Sequence, residues 1–158
     1  MLTTLNRLVG LPVVRQGKEI GLVERAVPDE AARRLHGIVV RRGLGAARWL
    51  PPEAILWLGE KCIVAQKEPC LLPGDLPRPA SLVYLTSGRL LGQVSDHILQ
   101  GTSLRIVALE VCAGPLYRLA GKSSYATDYQ VQGETGQVMV GQLLSWAQMN
   151  RMPEEERE

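Results

Sequence analysis

An internal repeat constrains this chain more than any other feature. Sliding the sequence along itself by 71 positions sets residues 8–43 against 79–114 without a gap. Seven pairs are identical: Leu11/Leu82, Gly17/Gly88, Gly21/Gly92, Val23/Val94, Arg34/Arg105, Val40/Val111 and Gly43/Gly114. Similar pairs fall where a strand pattern needs them: Val14/Leu85, Lys18/Arg89, Ile20/Leu91, Val27/Ile98, Leu35/Ile106 and Ile38/Leu109. Self-similarity at a fixed spacing means that one structural unit is used twice, and glycines paired at that spacing mark the same turns in both copies. After a length change of five residues the match resumes. Trp49 then faces Tyr125, Ile55 faces Val131, and Cys62-Ile63-Val64 faces Val138-Met139-Val140, with the added length placed within residues 113–124.

Each copy reads as all-β. In the first, strands are expected at 8–14, 19–27, 35–41, 48–50, 55–58 and 61–65. Turns are expected at Gln16-Gly17 and Gly59-Glu60, and a single helical turn at Pro51-Pro52-Glu53. Short strands between Gly- and Pro-rich turns, five or six in about 60 residues, predict a small closed barrel. Residues 66–79 hold four of the ten prolines and read as a semi-rigid linker, since proline lacks an amide donor and biases its predecessor towards extended backbone. The organisation is therefore a barrel at 1–67, a linker at 68–79, a barrel at 80–142, and a C-terminal helix with an acidic tail at 143–158. The helix, expected over 142–151 with Leu143, Leu144, Trp146 and Ala147 on one face, is too short to stand alone. It must dock on a barrel or join a second copy. The tail PEEERE is expected to fray.

Charge and cysteine content narrow the function classes. The net charge of +2 is no global signature of a nucleic-acid binder, although residues 1–75 carry eleven Lys/Arg against eight Asp/Glu. Cys62, Cys70 and Cys112 are an odd number without a CxxC pair, which argues against a disulfide framework and a zinc site. Cys62 and Cys112 read as packed strand residues and Cys70 as exposed. The N-terminus lacks a signal-peptide pattern, and no apolar run approaches the roughly 20 residues that span a bilayer. A cytoplasmic location is the expectation.

Motif spacing excludes the obvious chemistries. Gly121-Lys122-Ser123 ends like a phosphate-binding loop, but the preceding Gly114 lies six intervening residues upstream where the motif has four. Gly43-Leu44-Gly45 starts like a dinucleotide fingerprint, yet its third glycine is missing and Pro51-Pro52 follows. Ser95-Asp96-His97 contains the residue types of a hydrolytic triad, but neighbours on a strand point to opposite faces, so His97 is read as a surface histidine. No cofactor, metal site or catalytic residue is expected, and the chain is read as a non-enzyme. The candidate binding residues are Arg33, Arg34, Arg41, Arg42 and Arg48, in or beside the third strand; the second copy retains Arg105 and Arg118. Arginine holds phosphate or carboxylate through paired hydrogen bonds, so these five form a candidate polyanion site. Strand alternation separates Arg41 from Arg42, leaving about three to act together.

Four stretches carry a resemblance: LVGLPVV at 8–14, GKEIGLVE at 17–24, HGIVV at 36–40 and LPPEAI at 50–55. The pattern resembles the PRC-barrel domain, found in the cytoplasmic part of the photosynthetic reaction centre H subunit, in the small-subunit ribosome maturation factor, and in small bacterial proteins, some linked to sporulation. The second copy departs from it: Gly10 and Gly37 become Ser81 and Ala108, and the last stretch becomes ATDYQV. The motif consists of turn glycines and strand alternation, so it implies a fold and supplies no catalytic residue. The resemblance implies a non-catalytic bacterial protein-interaction or scaffold module. An RNA- or ribosome-associated factor is the alternative, and a peripheral partner of a membrane or photosynthetic complex a third.

Overall fold

A computed structural model describes residues 1–114 and 121–152. The first sheet is built from β2 (Pro12–Arg15), β3 (Lys18–Pro28), β4 (Leu35–Arg41), β5 (Arg48–Leu50), β6 (Ile55–Leu58), β7 (Ile63–Ala65) and β8 (Cys70–Leu71). Its order is β6-β7-β2-β3-β4-β5-β8. The second contains β9 (Leu82–Leu85), β10 (Leu90–Gln100), β11 (Arg105–Cys112), β12 (Ser124–Ala126), β13 (Tyr129–Val131) and β14 (Val138–Val140), ordered β13-β14-β9-β10-β11-β12. Six strands thus repeat in one order, including one parallel pair in each sheet, β2 with β7 and β9 with β14. The expected all-β fold is present, and both sheets curl strongly into half-barrels, consistent with two small β-barrels in tandem. Two segments extend the repeat. The N-terminal β1 (Leu2–Thr4) pairs with β10, and β8, which falls in the proline-rich linker, pairs with β5.

The duplication reaches the irregularities. Ile20 and Leu91, Glu24 and Ser95, and His36 and Val107 are each the extra residue of a β-bulge, and every pair is 71 positions apart. Bulges bend and twist a strand, so repeating all three curls both sheets alike. Gly21 and Gly92 follow the first bulge with φ of +156° and +155°. A Cβ on Gly21 would press Val40 Cγ1 at 2.6 Å, and one on Gly92 would collide with the Cys112 carbonyl.

The register corrects the sequence alignment before the first turn and after the last. The first hairpin has a two-residue loop, Gln16-Gly17, with both φ positive. The second has a three-residue loop, Thr86-Ser87-Gly88, closed by Leu85 N–H to Arg89 O at 2.8 Å. Val83 therefore takes the place of Val13, each facing a bulge glycine. Likewise Ile63 corresponds to Val138 and Ile55 to Tyr129, rather than to the residues set opposite them by sequence. Trp49 and Tyr125 do correspond, opposite Val39 and Glu110.

Two ends differ from expectation. The strand predicted from Leu8 is preceded by a helical turn, α1 (Leu5–Leu8), started when Thr4 Oγ1 accepts from Arg7 N–H at 3.3 Å. Four residues carry too little periodicity to be seen in sequence. The C-terminal helix α2 is shorter than predicted, Trp146–Arg151, and begins at a capping box of Ser145 and Gln148. Met149 is its buried residue, whereas Leu144 lies in extended backbone bridged to Tyr125. The tail at 153–158 and Arg118 lie outside the described residues.

The halves join through their own repeat counterparts. Leu35 N–H donates to Leu104 O at 2.9 Å and Ile106 N–H to Arg33 O at 2.8 Å, around an antiparallel bridge between Arg34 and Arg105. Each residue meets its equivalent, the signature of an isologous contact about a local two-fold axis. One core cluster draws on both halves, with Leu5, Leu8, Ile38, Leu50 and Ile63 packed among Val83, Leu99, Leu109 and Val138. Outside it, Leu76 of the linker packs on Val27, Val39 and Trp49, while Met149 of α2 packs with Ile98, Val107 and Ala108. Linker and C-terminal helix thus cover corresponding faces.

Candidate functional site

The five candidate arginines fall into two groups. Arg33 and Arg34 precede β4, and Arg41, Arg42 and Arg48 lie at its far end, about 20 Å away at 3.3 Å per residue. Arg33 is engaged inside the fold. Its guanidinium lies 3.6 Å from the centre of the Tyr129 ring and donates to the carbonyls of Tyr129 at 2.6 Å and Thr127 at 3.2 Å. Asp29 shapes the turn before it by accepting from the amides of Arg33 and Arg34. Arg41 binds Glu24 at 3.0 Å and the Gly45 carbonyl at 2.8 Å. Arg48 reaches the Pro69 carbonyl at 3.5 Å. Arg34, Arg42 and Arg48 are exposed.

Tyr129 explains why Arg33 sits where it does. The ring is buried and its hydroxyl donates to the Ala32 carbonyl of the other half. Burial pushes the hydroxyl pKa up to about 12, against the opposing charge of Arg33. The hydroxyl is thus a fixed donor at any ordinary pH. Tyr129→Phe should leave a buried carbonyl short of its partner and cost about 1–3 kcal/mol in urea denaturation. An unchanged midpoint would show that the bond contributes nothing to the joint.

The pseudo-equivalent place in the first half is open. There Ile55 stands for Tyr129 and Leu104 for Arg33, and a cleft of about 430 Å³ runs between residues 55–60 and the 101–104 turn, with Met1 at its side. Its walls include Leu56 and Trp57, which are 63% and 68% exposed on the outermost strand of the first sheet. Leu56 is the bulge residue of β6 and has no partner in β7. Composition alone could not reveal this site, because ILWL reads as an ordinary core strand. The missed signal was its position as the last strand but one of the unit, where the sheet ends.

Ser95, Asp96 and His97 are not brought into one relay. The Ser95 hydroxyl donates to Glu110 Oε1 at 2.6 Å and lies 3.4 Å from Cys112 Sγ, which in turn lies 3.4 Å from Ser123 Oγ. Asp96 Oδ1 accepts from the amides of His97 at 2.8 Å and Asn6 at 3.2 Å. His97 is not the expected surface residue: its Nε2 is buried without a hydrogen-bond partner. Burial lowers its pKa to about 4, although Asp96 opposes the shift. The ring lines a cleft of about 220 Å³ between the halves, with Asn6, Arg25, Pro77 and Pro79. Among the described residues no group of three or more His, Cys, Asp or Glu is placed to hold a metal ion. Cys70 is exposed, Cys62 half-buried and Cys112 buried.

No family model and no curated protein matches this chain. Among the described residues no helix is long and apolar enough to cross a membrane.

Proposed function

We propose that this chain is a non-catalytic protein-interaction module of the bacterial cytoplasm, of the PRC-barrel kind that its turn glycines resemble, and that its partner protein docks on β6. One observation carries the reading: Leu56 and Trp57 stand exposed on an outermost strand beside an apolar cleft. Large apolar side chains grouped around a concavity mark interaction surfaces, whereas single exposed ones do not. The RNA- or ribosome-associated reading draws less support from the arginines, because Arg33 is engaged with Tyr129 and Arg41 with Glu24.

The test uses tagged chain expressed in its own cell, wild type against Leu56→Lys/Trp57→Ser, cross-linked and recovered with and without nuclease. Both substitutions are at exposed positions, so the melting temperature should hold. A stoichiometric protein that survives nuclease and disappears from the variant is the expected result. Loss on nuclease alone would favour RNA, and retention by the folded variant would move the interaction to another surface.

A further inference from the structure

Among the described residues the edges of β5, β12 and β13 are covered from within the chain, and the edge of β6 is not. The edge of β5 is paired with β8, itself two residues long and flanked by Pro69 and Pro73, which have no amide to offer. The edge of β12 is met by Leu144, which exchanges two 2.8 Å hydrogen bonds with Tyr125. The edge of β13 is capped by the Arg33 guanidinium on the Thr127 and Tyr129 carbonyls. At β6, β7 occupies one side, and no strand pairs with the other among the described residues. The residue standing where Arg33 would be is Leu104, whose side chain has no donor. Natural proteins blunt their edges by short strands, proline, charge or cover, because an uncovered edge is a template for another strand.

We infer that β6 receives an extended segment of the partner protein as an added strand, with a large aliphatic side chain seated between Trp57 and Leu104. This rests on the interaction reading above and names its mode and the partner's chemistry. Three features of the fold support it. Extended backbone is how the chain covers its own β5 and β12 edges, through β8 and Leu144. The cleft continues the joint between the halves, since Ile55 to Glu60 form one wall and Gly101, Thr102 and Leu104 the other. Its side chains are apolar apart from Glu60 and Thr102, with Gly59 and Gly101 adding bare backbone, which suits an apolar side chain next to a backbone ladder. In strand addition the main chain supplies affinity and alternate side chains supply specificity, so the segment should read apolar at every second residue.

The probe is a set of short, end-blocked peptides in which apolar and polar residues alternate, titrated into the whole chain and followed by backbone amide NMR. The best peptides should shift the resonances of Ile55 to Leu58 and slow their hydrogen exchange. N-methylation of every second amide should weaken binding about tenfold or more in one phase and barely in the other, because only one set of amides faces β6. Trp57→Ser should weaken it by a similar factor. Equal tolerance of N-methylation in both phases would overturn strand addition while leaving side-chain docking at this face intact. No β6 shift at about 1 mM peptide would also overturn it. Undiminished binding to the folded Leu56→Lys/Trp57→Ser variant would overturn this inference and the interaction site together.

Discussion

Replacing Leu8 by alanine should lower stability by about 2–5 kcal/mol and unfold both sheets in one transition. Leu8 is 1% exposed, on a helical turn that packs against β3 of the first sheet and β10 of the second. It belongs to the large core cluster that draws on both halves. A half of roughly 70 residues sits near the size at which a lone core becomes marginal, so a shared core makes each half depend on the other. The backbone bridge at 33–35 and 104–106 ties them again. The check is hydrogen exchange at β4 and β11 amides under mild denaturant. Equal loss of protection in both strands is the expected result. Loss confined to one of them would show that the halves fold as independent units.

That coupling has no local signature in the sequence. The strands at β3, β4, β5 and β6 are legible because alternation and turn glycines are local signals, and the pattern gives β4 its observed ends, Leu35 and Arg41. The duplication was legible for the same reason. Its register slipped at β9, where one hairpin loop is a residue longer and the coincidence of Leu11 with Leu82 hid the difference. The bulges left no signature that sequence could use, since a bulge residue such as Glu24 or Ser95 need be neither glycine nor proline.

The candidate site was less legible, because its residues are set by contacts far apart in the chain. The sequence offers Arg33 as one of five candidate polyanion-binding arginines, and its engagement with Tyr129, 96 positions away, is visible only in the fold. The same contact distinguishes two places that the repeat makes equivalent. One is filled by Tyr129 and Arg33, and the other, with Ile55 and Leu104, stands open. A duplicated unit starts with two identical faces, and divergence at a few positions fills one at the joint and leaves the other as the cleft to which the proposed partner is assigned. The repeat itself reports only the architecture, so the proposed function rests on the asymmetry between the copies.

His97 should make the protein acid-sensitive across a defined window. Its position in the repeat belongs to Ala26 in the first half, so an imidazole lies where the other copy holds a methyl group. The ring faces the joint with Asp96, Asn6 and Arg25 around it, and Nε2 is buried without a partner. Burial depresses the folded pKa to about 4 from an ordinary value of 6.5, with Asp96 pulling the other way. Between those values the unfolded chain binds a proton that the folded chain does not. The contribution is therefore complete above about pH 6.5, is lost progressively as pH falls to 4, and changes no further below that. At 1.36 kcal/mol per unit the loss amounts to about 3 kcal/mol. His97→Gln keeps a polar side chain at the site and does not titrate. Carboxylates remote from the ring contribute equally to both proteins, and Asp96 acts on His97 against the main shift, so the quantity to follow is the stability difference between wild type and variant. It should move by about 3 kcal/mol against the wild type between pH 7 and pH 4. A difference that stays flat over that range would mean that His97 is solvated in both states, and that the joint between the halves is wetter than the structure shows.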